Sequence, residues 1–137
     1  MRATLQNSLC FGLFHQSQNS NPNQKETTKD LTLIGFARCI TDTTTFIYLT
    51  DVFILPEYQG EGLGTWLVAC VQEVIEDMPY LRRSLLFTGD WKRSVPFYEK
   101  LMGVEVTECR PPVDGEEEGT GLAVMMRKWS GVPGFEG

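Results

Sequence analysis

The fourteen residues from Asp51 to Gly64, Asp-Val-Phe-Ile-Leu-Pro-Glu-Tyr-Gln-Gly-Glu-Gly-Leu-Gly, constrain this chain more than any other stretch. An apolar, β-rich run enters Pro56, the chain turns through three glycines spaced two apart, and a long amphipathic pattern follows. Glycines at such a turn let the backbone approach a ligand closely. The first N–H groups of the following helix carry the positive end of its dipole. A strand, glycine turn and helix in this order form a site for phosphate. Two common phosphate loops do not fit the spacing. The P-loop needs Gly-x-x-x-x-Gly-Lys-Ser/Thr; counted from Gly60, its second glycine falls on Thr65, and no lysine follows. In the dinucleotide fingerprint Gly-x-Gly-x-x-Gly the third glycine lies one residue later than Gly64. The acidic residue required about 20 positions on is absent too, where the chain reads Tyr80-Leu81-Arg82.

The pattern after the glycines has the period of a helix. Leu63, Trp66, Leu67, Cys70, Val71, Val74, Ile75 and Met78 fall on one apolar face, Thr65, Gln72, Glu73 and Glu76 fall opposite, and Pro79 closes the run. Upstream, Leu31–Ile40 and Thr45–Leu55 read as strands. The short turn Thr41-Asp42-Thr43-Thr44 between them implies an antiparallel pair. Cys10–His15 reads as an earlier strand, preceded by a few residues of helical character. Ser17–Asp30 is almost wholly polar and is expected to be a mobile hairpin loop, since it has little apolar surface to offset ordering entropy.

Downstream, Arg83–Thr88 supplies a strand that completes a parallel βαβ unit. A second helix is expected to begin near Ser94, where Pro96 is tolerated in the first turn, and to stop at Gly103. Strands at Val104–Thr107 and Leu122–Arg127 flank an acidic loop, and 130–137 reads as a loose tail. The order β, β, β, α, β, α, β, β predicts one α+β domain over 1–137 with a mixed sheet.

At 137 residues and 42% hydrophobic content the chain can bury a core. A net charge of −6 makes it a poor generic binder of nucleic acid. Cys10, Cys39, Cys70 and Cys109 are far apart, with no Cys-x-x-Cys pair. They read as buried free thiols in a reducing compartment, not as a metal site or disulfide framework. Neither a run of 18 apolar residues nor a signal-peptide pattern is present, so a cytoplasmic location with no membrane partner is expected.

The segment Gln59-Gly60-Glu61-Gly62-Leu63-Gly64 matches Gln/Arg-x-x-Gly-x-Gly/Ala, and Phe97-Tyr98-Glu99-Lys100-Leu101 follows one strand and one helix later. In these residues the chain resembles the GNAT superfamily of N-acyltransferases, roughly over residues 31 to 107. The resemblance implies a GNAT-like fold, acetyl-CoA as co-substrate and no metal. It places the CoA pyrophosphate on Gln59, Gly60, Glu61, Gly62, Leu63, Gly64 and Thr65, and pairs the pantetheine arm with the backbone of Val52, Phe53 and Ile54. It also implies that Tyr98 is the general acid toward the departing thiolate; the alternative is a packed aromatic on a helix.

Asp51, inside an apolar run next to that centre, is expected to be partly desolvated and to serve as base, or else to pair with an arginine. Glu61 stands where relatives often carry a basic residue, and its carboxylate is expected to point outward. Trp91 stands where many carry an asparagine. The family begins with an extra strand and two helices that help wall the acceptor pocket. About nine residues precede the first strand here, so either the chain is truncated, or a partner subunit, as in a homodimer, or solvent fills that gap. The implied reaction is direct acetyl transfer to a primary amine of a small molecule or peptide; the alternative is a CoA-binding module without transfer.

Overall fold

The computed structural model describes residues 1–19, 28–110, 114 and 122–129. The elements run α1 (Arg2–Gln6), β1 (Leu9–Asn19), β2 (Thr28–Thr41), β3 (Phe46–Ile54), α2 (Leu63–Glu76), β4 (Arg83–Thr88), α3 (Ser94–Met102), β5 (Glu105–Arg110) and β6 (Leu122–Lys128), with a 3-10 turn at Pro56–Tyr58 before α2. The strands form a six-stranded sheet in the order β1-β2-β3-β4-β6-β5. Only β3 and β4 pair in parallel; the other neighbours are antiparallel. This is the mixed α+β sheet expected from the order of patterns. No helix among the described residues is long and apolar enough to cross a membrane.

The expected loop over Ser17–Asp30 is corrected at both ends. Ser17, Gln18 and Asn19 pair with Asp30, Lys29 and Thr28 as the outer rungs of the β1–β2 hairpin. A ladder satisfies backbone N–H and C=O groups whatever the side chains are, so polar composition did not imply loss of pairing here. Residues 20–27, the acidic segment apart from Asp114, and the tail from 130 lie outside the described residues.

The turn between β2 and β3 is built on Asp42. The backbone N–H groups of Thr44, Thr45 and Phe46 donate to its Oδ1 at 2.9, 2.7 and 3.1 Å, and the Thr45 hydroxyl donates to its Oδ2 at 2.5 Å. The Thr45 hydroxyl, then these N–H groups, hold the Asp42 carboxyl well below the usual range.

The core lies between one face of the sheet and the helices. Leu67, Val68, Val71 and Ile75 of α2 pack with Ala37 and Cys39 of β2, Ile47 and Leu49 of β3, and Val95 and Met102 of α3. The buried stripe of α2 is turned from the one that periodicity suggests. Trp66 is 57% exposed and Val74 38%, whereas Val68 is fully buried and Gln72 is 7% exposed. α2 rests on α3 as well as on β2 and β3, which shifts and widens its buried arc. Gln72 meets this position by donating from Nε2 to Glu76 Oε1 at 3.0 Å. Cys39 is buried, and burial pushes its thiol up to about 12. Cys10 is exposed, which corrects the expectation that all the cysteines lie inside; the thiols of Cys10, Cys39 and Cys70 are free.

The opposite face of the sheet is apolar and sparsely covered. Directly opposed pairs Phe36/Phe53, Tyr48/Leu85 and Phe87/Val124 lie on it. Phe53, Phe87 and Leu122 stand roughly half exposed there.

The Asp42 network has a pH signature. Its carboxyl is depressed in the folded state, so its stabilising contribution is fully present above the unfolded Asp value near 3.9. That contribution drains as pH falls below it. Urea midpoints measured from pH 6 to pH 2 should fall less steeply with acid in Asp42→Asn than in the parent, and the variant should be less stable at neutral pH.

Candidate active site

β3 and β4 are paired only from Phe46/Arg83 to Leu49/Leu86. Beyond that point β3 continues to Ile54 against β2, while β4 continues to Thr88 against β6. The two parallel strands therefore part company, and the β4 side of β3 has no strand partner past Leu49 among the described residues. The divergence coincides with a bulge. Phe36 opposes Phe53 and Arg38 opposes Thr50, so Ala37 alone faces both Asp51 and Val52. Asp51 takes φ +51° at this bulge. The left-handed region is open to few residues with a side chain, and aspartate is one of them.

A cleft of about 550 Å³ lies against β3 beyond this point. Val52, Phe53 and Ile54 form one wall, and the turn with the first residues of α2 forms its mouth. Gly60 and Gly62 have φ of +87° and +78°, and Gly62 is the N-cap of α2. A Cβ at either would meet nothing within 4 Å, so these positions call for glycine because of the backbone turn and the open cradle, not through crowding. Gln59 braces the turn, donating from Nε2 to the Ile54 carbonyl at 2.9 Å. Gly64, Leu63 and Thr65 line the mouth. Glu61 does not. It lines a separate pocket of about 430 Å³ with Glu57, Tyr58 and His15, so the expected outward carboxylate is found.

The far wall holds two residues to which the sequence assigned no role, Arg93 and Phe97 of the aromatic motif. Arg93 is the N-cap of α3, and its backbone N–H donates to Asp90 Oδ1 at 2.9 Å. Its position one turn before the aromatic pair was the available signal. Tyr98 is absent from this lining. It lies half-buried beside Phe97, ring centroids 5.0 Å apart and nearly perpendicular, and burial raises its pKa. Trp91 packs against the core, and its Nε1 has no hydrogen-bond partner.

A second, apolar cavity of about 730 Å³ lies against the same strand end. Met1, with Thr4 and Leu5 of α1, Leu33, Phe36 and Arg38 of β2, and Asp51 to Phe53 of β3 line it. Val52 and Phe53 belong to both cavities, so the bulged end of β3 is their common wall.

The sequence profile described as the Acetyltransferase (GNAT) family matches residues 13–104. The chain belongs to this family. A Gibberella zeae protein provisionally named an acetyltransferase is 40% identical over 90 residues, 63% of this chain and 51% of that protein. The thialysine N-epsilon-acetyltransferase of Bos taurus is 38% identical over 66 residues, 46% of this chain and 37% of that enzyme. The chain thus spans about half or less of these curated relatives' length. Among solved structures, Arabidopsis thaliana Naa50 in complex with the bisubstrate analogue CoA-Ac-MVNAL superposes with a TM-score of 0.55 at 18% identity, covering 71% of this chain and 66% of that one. A GNAT acetyltransferase from Elizabethkingia anophelis with acetyl-CoA bound gives 0.57 at 13% identity, covering 90% and 99%. At these identities the neighbours establish the fold, and that fold is the GNAT fold.

Within the GNAT frame Asp51 differs from the desolvated carboxylate expected of it. Its side chain is 53% exposed, and its Oδ2 accepts from Arg38 Nε at 2.6 Å. The arginine alternative is the one realised, because the bulge turns the side chain out of the apolar run and toward β2. Arg38 also donates from Nη1 to Ser8 Oγ at 3.1 Å, which ties the segment after α1 to the sheet. An exposed pair of this kind contributes about 1 kcal/mol or less, so the backbone geometry outweighs it. Asp51→Asn, which tolerates the left-handed region, should lose no more than about 1 kcal/mol in urea unfolding. Asp51→Val should lose about 1–3 kcal/mol.

Proposed function

We propose that the chain catalyses direct transfer of an acetyl group from acetyl-CoA to a primary amine in a ternary complex. The observation that carries this reading is that two cavities approach one bulged strand end from different sides, sharing Val52 and Phe53. The cleft with the glycine mouth suits the cofactor. Its pyrophosphate would rest on the amides from Gln59 to Thr65 at the α2 N-terminus, with Arg93 supplying a counter-charge. Glu61 would contribute only backbone. The pantetheine arm would lie along the unpartnered edge of Val52, Phe53 and Ile54, as an added strand does.

The chemistry asks for positioning and charge stabilisation above all. The amine nitrogen attacks the thioester carbonyl, the N–C bond forms, the C–S bond breaks, and the thiolate receives a proton. A main-chain N–H near the bulge would bind the carbonyl oxygen as its charge grows. Tyr98 keeps its proton throughout the neutral range because burial raises its pKa, so it can donate to the departing sulfur. That role requires the hydroxyl to reach the inner end of the arm, one residue behind Phe97. The Asp51 carboxylate, on the wall of the second cavity, would take the amine proton. A bovine relative named for acetylating the ε-amine of thialysine supports an amine acceptor.

Acetyl-CoA at about 100 times its Kd should stabilise the fold by about 2.7 kcal/mol, read as a rise in Tm. Gly62→Trp should remove the rise; the space there is open, but at φ +78° the side chain strains the turn, so the variant's Tm with acetyl-CoA is compared with its own Tm without it. An unchanged Tm at millimolar acetyl-CoA would refute the reading. Tyr98→Phe should keep the Tm rise and slow acceptor-dependent thiol release about 10²-fold; unchanged release would remove Tyr98 from the mechanism.

A further inference from the structure

We infer that the acceptor is a monoamine carried on an apolar body, rather than a polyamine. This rests on the acetyltransferase reading above and names the substrate class of the same site. The second cavity is walled by Leu5, Leu33, Phe36 and Phe53. Leu5 and Leu33 are 43% exposed and Phe53 is 46% exposed, so apolar surface stands ready for a ligand. The volume, about 730 Å³, is that of a small-molecule site.

Charge narrows the choice. Among the lining side chains there is one carboxylate, Asp51, and one guanidinium, Arg38, and they already neutralise each other at 2.6 Å. A polyamine would bring two or more further ammonium groups against Leu33, Phe36 and Phe53 with no carboxylate to meet them, and unpaired charges at apolar surface are costly. One amine beside Asp51, with an aryl or alkyl body on the apolar wall, brings no second charge to the cavity. The same wall assists the reaction: removing water from an ammonium favours its neutral, nucleophilic form. The nitrogen attacks the thioester carbon, its proton passes to Asp51 or water, and CoA leaves as the thiol.

The test is an acceptor panel assayed by thiol release from acetyl-CoA, with phenethylamine, hexylamine, spermidine, lysine and a five-residue peptide with a free N-terminus. Phenethylamine or hexylamine should exceed the other three in kcat/KM by about tenfold or more. Leu33→Glu, which sets a carboxylate into the cavity, should lower kcat/KM for phenethylamine about tenfold and narrow the gap to spermidine. Leu31→Glu, on the same strand but outside the cavity lining, should leave both unchanged. Calorimetric binding of phenethylamine to the CoA-loaded protein, weakened by Leu33→Glu alone, reads the site without turnover. Preference for spermidine, lysine or the peptide with acetyl-CoA consumed overturns this inference and leaves the transferase reading standing. Absence of acetyl-CoA binding overturns both. Bound acetyl-CoA with no release to any amine and no phenethylamine binding also overturns both.

Discussion

Two residues of β3, Asp51 and Val52, face one residue of β2, and the surplus residue is accommodated by a left-handed backbone at Asp51. A bulge bends its strand and increases the local twist. Here the bend falls where β3 ceases to pair with β4, after Leu49 and Leu86. Without it, the parallel ladder could run on in register only to Asp51 opposite Thr88, where β4 ends. Past that point the edge of Val52 to Ile54 has no strand partner among the described residues, and both cavities have a wall in common. The site is thus a consequence of how the strands are registered.

A bent strand end needs a firm support, and α2 supplies it. Leu67, Val68, Val71 and Ile75 anchor the helix on β2 and β3 through a fully buried contact. The seat of α2 fixes where its N-terminus points, and its first residues, Leu63 and Gly64, line the cleft. Gly60 and Gly62 can then take positive φ without a side chain entering the mouth. Gln59 ties this turn back to the Ile54 carbonyl, so strand end, turn and helix start move as one unit. The precision of the cradle therefore comes from the core beneath it more than from the glycines alone.

What could be read from the sequence was what depends on neighbours along the chain. The glycine turn, the start of α3 at Ser94 and the strand at Arg83–Thr88 are local patterns, and each was legible. The bulge was not, because it depends on which residue of β2 faces which residue of β3; for the same reason the sequence offered an arginine as partner of Asp51 without singling out Arg38. The arc of α2 that would be buried was misplaced because helical period gives the shape of an apolar face but not the direction of a second neighbour, α3. Ser17–Asp30 was read as a loop because its polarity reports the solvent and is silent about backbone pairing. Arg93 carries only a faint mark along the chain, its place one turn before the aromatic pair; it matters once α3 is laid across from the glycine turn.

The chain carries a net charge of −6, yet the proposed cofactor is a polyanion. The resolution lies in distance. At physiological ionic strength the screening length is about 8 Å, so charges elsewhere on the surface contribute little inside the cleft. What counts there is close at hand: the N–H groups and positive dipole end of α2, and Arg93 on the opposite wall. Glu61 sits within the glycine turn itself, and a carboxylate turned inward would offset much of that local field. It lines the pocket shared with Glu57 and His15 instead. The left-handed glycines on either side of it, Gly60 and Gly62, set the path of the turn that carries it there. The same backbone feature that opens the cradle thus also keeps its one acidic side chain out.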